Sequence, residues 1–358
     1  MRNLFFLLTL MAVTMRLSAQ QKPHYSQYIL NQYVINPAIG GIENYTDVKL
    51  SYRNQWMGIQ DIIYDENQQP IGLADVNPRT YYLTAHFSIG KSDKRTTATT
   101  MRTPVDNPSG GGYWDEYSAA SPHHGVGIQI VNDEIGPFSN FSAQATYAFH
   151  KGISPRTSLS AGFGMGYSRY RLNPKKLSAS SNPAFDPALA GQDYKNMFDL
   201  SAGLYLYSGN YFIGLSAQQL NRGELQFATA DSVTGPDRRT LLGTTVPHFF
   251  LTAGYRIVVG EDLKIVPSIL IKKVNPTPAQ FETNVKFQYR DLVWAGAGIR
   301  VQDGASAMAG ITLGKAVNVS YAYNFSNNRL NPYTNGTHEL LIGFMLGNRE
   351  DVCPREIW

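Results

Sequence analysis

From Asp47 to Trp56 the side chains alternate without a break. Val48, Leu50, Tyr52 and Trp56 fall on one side, and Asp47, Lys49, Ser51, Arg53 and Gln55 on the other. Side chains in a strand point to opposite faces with a period of two, so this run predicts a strand with one apolar and one charged face. The pattern returns over 80–89, 124–131, 141–150, 159–167, 198–206, 211–217, 249–257, 263–271, 281–290, 292–302, 305–313, 315–325 and 337–347. About fourteen such runs predict an all-β chain that closes into a transmembrane antiparallel barrel, because an even number of strands brings both ends to one rim.

A soluble β-sandwich also alternates, so the runs must be weighed further. Half of them reach about 10–12 residues, against about 5–6 for a strand of a soluble sheet, which suits a tilted membrane crossing. One face carries Phe, Tyr, Leu and Ile, with aromatics near the strand ends as in an interfacial girdle. The other carries Lys49, Arg53, Asp199, Glu282, Lys286, Arg290 and Glu339, as a hydrated or plugged lumen would. Pro267 is the weak point of its strand, since proline removes a ladder donor.

Composition points the same way. Charged residues make up 16% of the chain, against roughly 25% in ordinary soluble domains. The N-terminus reads as a secretory signal peptide over 1–19, with Arg2, an apolar run from Leu4 to Val13 and a small-residue exit at Ser18-Ala19. Its removal takes away two arginines and no acids, lowering the formal charge from +4 to +2. That near balance argues against nucleic acid as a partner. Beyond the signal peptide no apolar stretch is long enough to span a bilayer as a helix. The one cysteine, Cys353, has no intramolecular disulfide partner.

The spacing between runs carries a second pattern. With a periplasmic N-terminus, the connections after runs 1, 5, 7 and 13 face outside and are long, whereas those after runs 4, 6, 8, 10 and 12 face the periplasm and are short. Outer-membrane barrels show this asymmetry. The insertion over 90–123, rich in Ser, Thr, Gly and Pro, breaks it, because it falls on the periplasmic side. The domain reading is therefore a signal peptide (1–19), a lead-in or plug (20–46), the barrel (47–347) and a periplasmic tail (348–358).

No catalytic, metal or cofactor pattern emerges. His123-His124 falls in the insertion and reads as a solvated pair. Gly296 and Gly298 of AGAGIR (295–300) lie inside an alternating run, not at a strand-to-helix phosphate loop. No nucleophile elbow or zinc-spaced Cys/His set is present. The row Gly162, Gly164 and Gly166 on the inner face of its strand would let a second backbone approach the wall. Residues 20–46 are too polar to face lipid and too aromatic for an idle linker. They form either an ordered periplasmic lead-in or a plug over His24–Gly41, with Tyr25, Tyr28 and Tyr33 packing and Asn36-Pro37 turning the chain. The candidate plug or partner-binding residues are Tyr25, Gln27, Tyr28, Tyr33, Asn36, Pro37, Arg53, Asn54, Gln55, Trp56 and Cys353.

Five stretches, HYSQYILNQYVINPAIGG (24–41), YRNQW (52–56), PRTYYLTAHF (78–87), NDEIGPF (132–138) and CPREIW (353–358), resemble the PorP/SprF family of type IX secretion outer-membrane proteins. Ile39 and Gly40 depart from that family's usual NPAFAG, and the insertion 90–123 stands where its members pass by a short turn. The resemblance implies a non-enzymatic role at the cell outer membrane: export or surface attachment of a large secreted adhesin, gliding motility, and partners among the secretion components. The adhesin's C-terminal domain would be reached through the barrel mouth, lumen or long loops, and Cys353 and Trp358 would touch the periplasmic machinery. The alternative is a diffusion channel or a fatty-acid-transporter-like barrel, since the Asn-Pro-Ala turn is similar to the internal hatch of such transporters.

Overall fold

Peptide groups at membrane depth must find hydrogen-bond partners within the protein, and a sheet does so only by closing on itself. The computed structural model describes residues 26–64, 70–91, 118–172, 194–221, 223–225, 243–260, 262–290, 292–301, 303–313, 316–327 and 331–347. Its strands are β1 (Thr46–Asn54), β2 (Arg79–Ile89), β3 (His123–Ile135), β4 (Phe138–Ser154), β5 (Thr157–Leu172), β6 (Tyr194–Ser208) and β7 (Tyr211–Gln218). They continue as β8 (His248–Tyr255, resumed at Ile257–Val259), β9 (Leu263–Val274), β10 (Gln280–Tyr289), β11 (Val293–Arg300), β12 (Gly304–Leu313), β13 (Val317–Ser326) and β14 (Thr337–Leu346). Each pairs antiparallel with the next, and β1 pairs with β14 from Thr46 opposite Leu346 to Asn54 opposite His338. The result is a closed fourteen-stranded barrel.

The pleat sorts the side chains as the alternation requires. Leu50, Phe87, Ile128, Phe163, Leu215 and Phe287 stand exposed on the outside, while Asp47, Lys49, Arg53, Glu282, Lys286 and Glu339 are buried inside. That distribution inverts the one found in soluble proteins and is that of a transmembrane barrel. Among the described residues no helix is long and apolar enough to cross a membrane.

Several local expectations are corrected. The stretch NDEIGPF (132–138), whose Asn, Asp, Gly and Pro predict a turn, is strand as far as Ile135, and only Gly136 and Pro137 make the bend. The connection 57–77, whose polar sequence predicts a loop, instead pairs Gln60–Tyr64 with Pro70–Asp75 in a separate hairpin. Arg290 is not in the lumen. It sits at a turn in the left-handed region (φ 51°) and pairs with Asp262. Trp56 does not continue the outer face of β1, because its own left-handed backbone (φ 53°) ends the pleat and swings the ring over an open pocket at the barrel mouth. Pro267 does not interrupt β9. The strand stays paired with β10 throughout, while on the β8 side the ladder lapses between Gly254–Ser268 and Ile257–Ile265, where the missing N–H would have bonded.

We call the end where β1 begins and β14 finishes the near rim, and the opposite end the far rim. The near rim carries the two-residue turns 155–156 and 209–210, and the far rim carries the long connections 55–78 and 327–336. Most of the insertion 90–123, together with the signal peptide predicted over 1–19, Tyr25 and the tail holding Cys353, lies outside the described residues.

Candidate functional site

The barrel interior holds its own N-terminal segment. Residues 26–42 form three 3-10 turns, Ser26–Ile29, Gln32–Val34 and Pro37–Ile39, and the side chains from Gln27 to Ile42 are all buried. The turns are short because each is closed by local i to i+3 bonds, such as Leu30 N to Gln27 O at 3.0 Å and Gly40 N to Pro37 O at 3.3 Å. Asn36 caps the third turn, its Oδ1 accepting from Ala38 N at 3.0 Å, and Pro37 occupies the first position, where a missing N–H costs nothing.

Wall side chains meet this segment from most of the circumference. Near the far rim, Glu339 of β14 accepts from Gln27 N at 3.1 Å, Ser320 of β13 donates to Gln27 Oε1 at 2.7 Å, and Asn284 of β10 donates to the Tyr28 hydroxyl at 2.8 Å. In the middle, Gln129 of β3 and Gln218 of β7 both donate to Val34 O at 2.8 Å, and Ser216 of β7 donates to Ile35 O at 2.6 Å. Tyr33 and Thr146 of β4 share a hydroxyl–hydroxyl bond of 2.5 Å, and Asn36 Nδ2 donates to Leu204 O of β6 at 3.0 Å. Toward the near rim, Ser160 of β5 donates to Ala38 O at 2.7 Å, and His150 of β4 and His123 of β3 reach Gly40 O and Gly41 O at 2.8 and 3.2 Å. Bonds to both sides of the lumen mean that the segment crosses it.

Close approach explains three glycines. A Cβ on Gly125 would lie 1.8 Å from Gly40 O, one on Gly203 2.0 Å from Asn36 Oδ1, and one on Gly162 2.6 Å from Ala38 Cα. Of the glycine row on β5, only Gly162 meets the segment; Gly164 and Gly166 lie against Gln144 of the wall.

An apolar core joins segment to wall, with Tyr28, Leu30 and Ile35 against Tyr82, Phe250, Leu270, Trp294 and Leu341. Burial holds the Tyr28 and Tyr33 hydroxyls well above the ordinary phenol value, so both stay neutral. The lumen charges are paired: Arg53 with Glu339 at 2.8 Å, Arg300 with Glu282 at 2.9 Å, and Lys49 with Asp47 at 2.7 Å.

The predicted residues separate into groups. Gln27, Tyr28, Tyr33, Asn36 and Pro37 are inside the barrel, and Arg53 reaches them through Glu339. Gln55 and Trp56 line an open pocket at the mouth of the far rim. Asn54 stands on the opposite face of β1 from Arg53 and joins neither group. Tyr25 and Cys353 lie outside the described residues.

His123 corrects an expectation, for it is not part of a solvated pair. It opens β3, is buried, and stacks on His150 with ring centroids 4.5 Å apart, while His124 points the other way and bonds the Tyr147 hydroxyl. The wall partners His123, His150, Gln129, Gln218 and Ser216 were missed as site residues. Their inward parity was readable, but which inward residues meet the segment was not. Among the described residues no group of three or more His, Cys, Asp or Glu side chains is placed to hold a metal ion.

Fold and lumen together define a class: a closed membrane β-barrel whose interior is occupied by its own N-terminal segment. Residues 17–344 match the family described as type IX secretion system membrane protein PorP/SprF. The chain belongs to that family of type IX secretion system membrane proteins. Among solved structures it is similar to the P. putida toluene transporter TodX, at 9% identity, with 91% of this chain and 94% of that one covered and a TM-score of 0.46. It is also similar to a Pseudomonas aeruginosa FadL homologue (11% identity, 87% and 92% covered, TM-score 0.43). A third is the Acinetobacter baumannii outer membrane protein Omp33 (10% identity, 86% and 100% covered, TM-score 0.42). No curated protein matches the chain.

Proposed function

We propose that this barrel serves type IX secretion as a closed outer-membrane anchor: it holds a large secreted adhesin-type protein by its C-terminal domain and does not conduct it. The observation that carries this reading is the segment 26–42, bonded across the lumen from Glu339 on β14 to Ser216 on β7. A passenger polypeptide would have to displace a segment with buried apolar side chains and bonds to wall residues. Recognition therefore belongs to the rims. On this reading the far rim, with Gln55 and Trp56, faces outside and meets the adhesin. The near rim, with the insertion 90–123 and the tail carrying Cys353, faces the periplasmic secretion components. Gliding motility is the process such an anchored adhesin would serve.

The test is affinity purification of the barrel from its native membrane, with mass spectrometry of what accompanies it. Recovery of a large secreted protein through its C-terminal domain, lost when that domain is removed, is the expected result. The rival reading, a diffusion channel or fatty-acid-transporter-like barrel, predicts no such partner and steady conductance with the segment in place. Either finding would overturn the anchor.

A further inference from the structure

An arginine on the outer face of a membrane barrel is destabilising at the bilayer midplane and nearly neutral at the interfaces. This barrel carries two in step on one strand. Arg169 and Arg171 of β5 are exposed and alternate with the buried Ser168, Tyr170 and Leu172, so both point outward. They stand at the end of β5 that reaches the far rim. Aromatic rings surround them there: Tyr194 of β6 lies opposite Arg171, Phe141 of β4 opposite Arg169, and Phe198 of β6 opposite Tyr167. All three are exposed.

Arg169 is held in one pose. Its Nε donates to the Tyr167 hydroxyl at 3.2 Å and to Asn196 Oδ1 at 3.1 Å, and those two groups bond to each other. Its guanidinium carbon lies 5.8 and 5.3 Å from the ring centroids of Tyr167 and Tyr194. These contacts occupy the Nε edge and the flat face, and leave the Nη donors to another acceptor. Among the described residues neither Arg169 nor Arg171 forms an ion pair. Glu134 of β3, the acid in the same row of the ladder, stands opposite Arg79 of β2 and two strands away from Arg171. Two guanidinium groups about 7 Å apart along a strand, with donors to spare, suit a phosphate, which arginine binds through paired hydrogen bonds.

Next to this pair, toward the waist of the barrel, the outer surface dips. β4 presents Ala143 and Ala145 outward between Phe141 and Tyr147. Directly opposite them stand Ile130 and Ile128 on β3 and Tyr167 and Met165 on β5. Two small residues walled by larger ones on both sides make a furrow along β4, and its flanking strands lie about 10 Å apart, room for one hydrocarbon chain.

We propose that this face of β4 and β5 binds an anionic membrane lipid, its phosphate held by Arg169 and Arg171 and one acyl chain laid along Ala143 and Ala145. Free phosphate would use the arginines alone; the furrow leading away from them calls for a phosphate joined to a chain. Such a lipid would set the depth at which the far rim sits in the bilayer. On the orientation proposed above it belongs to the outer leaflet, but the binding depends neither on that orientation nor on the anchoring role.

The intact barrel is reconstituted in phosphatidylcholine nanodiscs doped with phosphatidic acid bearing a diazirine on one acyl chain, photolysed, and its adducts mapped to single residues by mass spectrometry. Adducts are expected on Ala143, Ala145 and Met165, and in excess over those of a phosphatidylcholine probe with the same chain. Each arginine beside anionic lipid is worth roughly fivefold in binding, so Arg169→Gln with Arg171→Gln should lower capture of phosphatidic acid by about tenfold or more and leave the phosphatidylcholine probe unchanged. Ala145→Phe, which fills the furrow, should move the adducts off β4, whereas Lys151→Gln, outward at the near rim, should change nothing. Folding is checked by heat-dependent gel mobility, and Arg171→Gln alone replaces the double variant if that does not fold. Equal capture of the two probes, adducts spread evenly to the distant outward Phe249 and Phe287, or capture indifferent to the arginine variants would overturn the site. Displacement of the probe by millimolar inorganic phosphate would assign the arginines to the free ion and overturn the lipid.

Discussion

Arg53 and Glu339 sit directly opposite one another in the ladder that joins β1 to β14, and their side chains form a 2.8 Å ion pair inside the lumen. They come from the two ends of the barrel sequence, so the pair closes the seam. The same carboxylate accepts from Gln27 N through its other oxygen, at 3.1 Å, and thereby ties barrel closure to the seating of the inner segment. Both side chains are nearly inaccessible to water, at 4% and 0%.

Removing one partner of such a pair strands a buried charge, at a cost of about 3–5 kcal/mol. Arg53→Ala is expected to lower the temperature at which the barrel loses its compact gel mobility. Replacing both, as Arg53→Met with Glu339→Leu, should restore much of it, because two apolar groups leave no charge behind. A double variant no better than the single one would show that the pair acts through something other than charge.

Side chains placed at Gly203 and Gly162 should expel the inner segment while leaving the wall intact. Gly203→Val drives carbon onto the Asn36 amide, and Gly162→Val onto the Ala38 backbone. Each variant is expected to raise ion conductance in planar bilayers toward that of a chain lacking 21–41. Gly343→Ala, whose added carbon would meet Lys49 Cγ and Asn318 Cβ at ordinary distances of 3.5 and 3.6 Å, should not. Unchanged conductance in the deletion itself would rule out occlusion by the segment.

Asn36 joins two roles in one side chain, capping the third turn through Oδ1 and donating to Leu204 O through Nδ2. Asn36→Ala removes both, and the cap alone is worth about 1 kcal/mol. Hydrogen exchange at Ala38 and Gly40 is expected to quicken about fivefold or more, while exchange in β6 stays slow. Equal acceleration in both would mean that the segment and the wall open as one unit.

Seating of the segment should also weaken in alkali. Burial raises the Tyr28 and Tyr33 hydroxyls above their ordinary value of 10.0, so the docked segment favours the neutral phenols. That stabilisation is complete below the ordinary phenol value and is lost as pH rises from there through the raised one. Conductance, or protease access to the segment, is expected to rise above about pH 10, and later in a Tyr28→Phe, Tyr33→Phe variant. A variant that opens at the same pH as the parent would remove the phenols from the account.

Much of this molecule could be read before any fold was in hand. A lipid-facing barrel wall needs period-two alternation, and Val48, Leu50 and Tyr52 against Asp47, Lys49 and Arg53 obey it residue by residue. Alternation is a local property of the pleat, so the strands, their number and the inward side of each followed from composition and order alone. Where the backbone leaves the pleat the rule fails. Trp56 and Arg290, both in the left-handed region, ended up on faces that simple counting did not predict.

The interior was decided at another level. That Gly125, Gly162 and Gly203, from three different strands, make room for one short stretch of chain depends on how the cylinder curves those strands toward it. The stack of His123 on His150 likewise joins residues distant in sequence. The linear order thus determined a closed wall with an oily outside and a polar inside. Only closure in three dimensions decided what that wall encloses, because contacts across a lumen depend on strand register and curvature, which no single strand encodes.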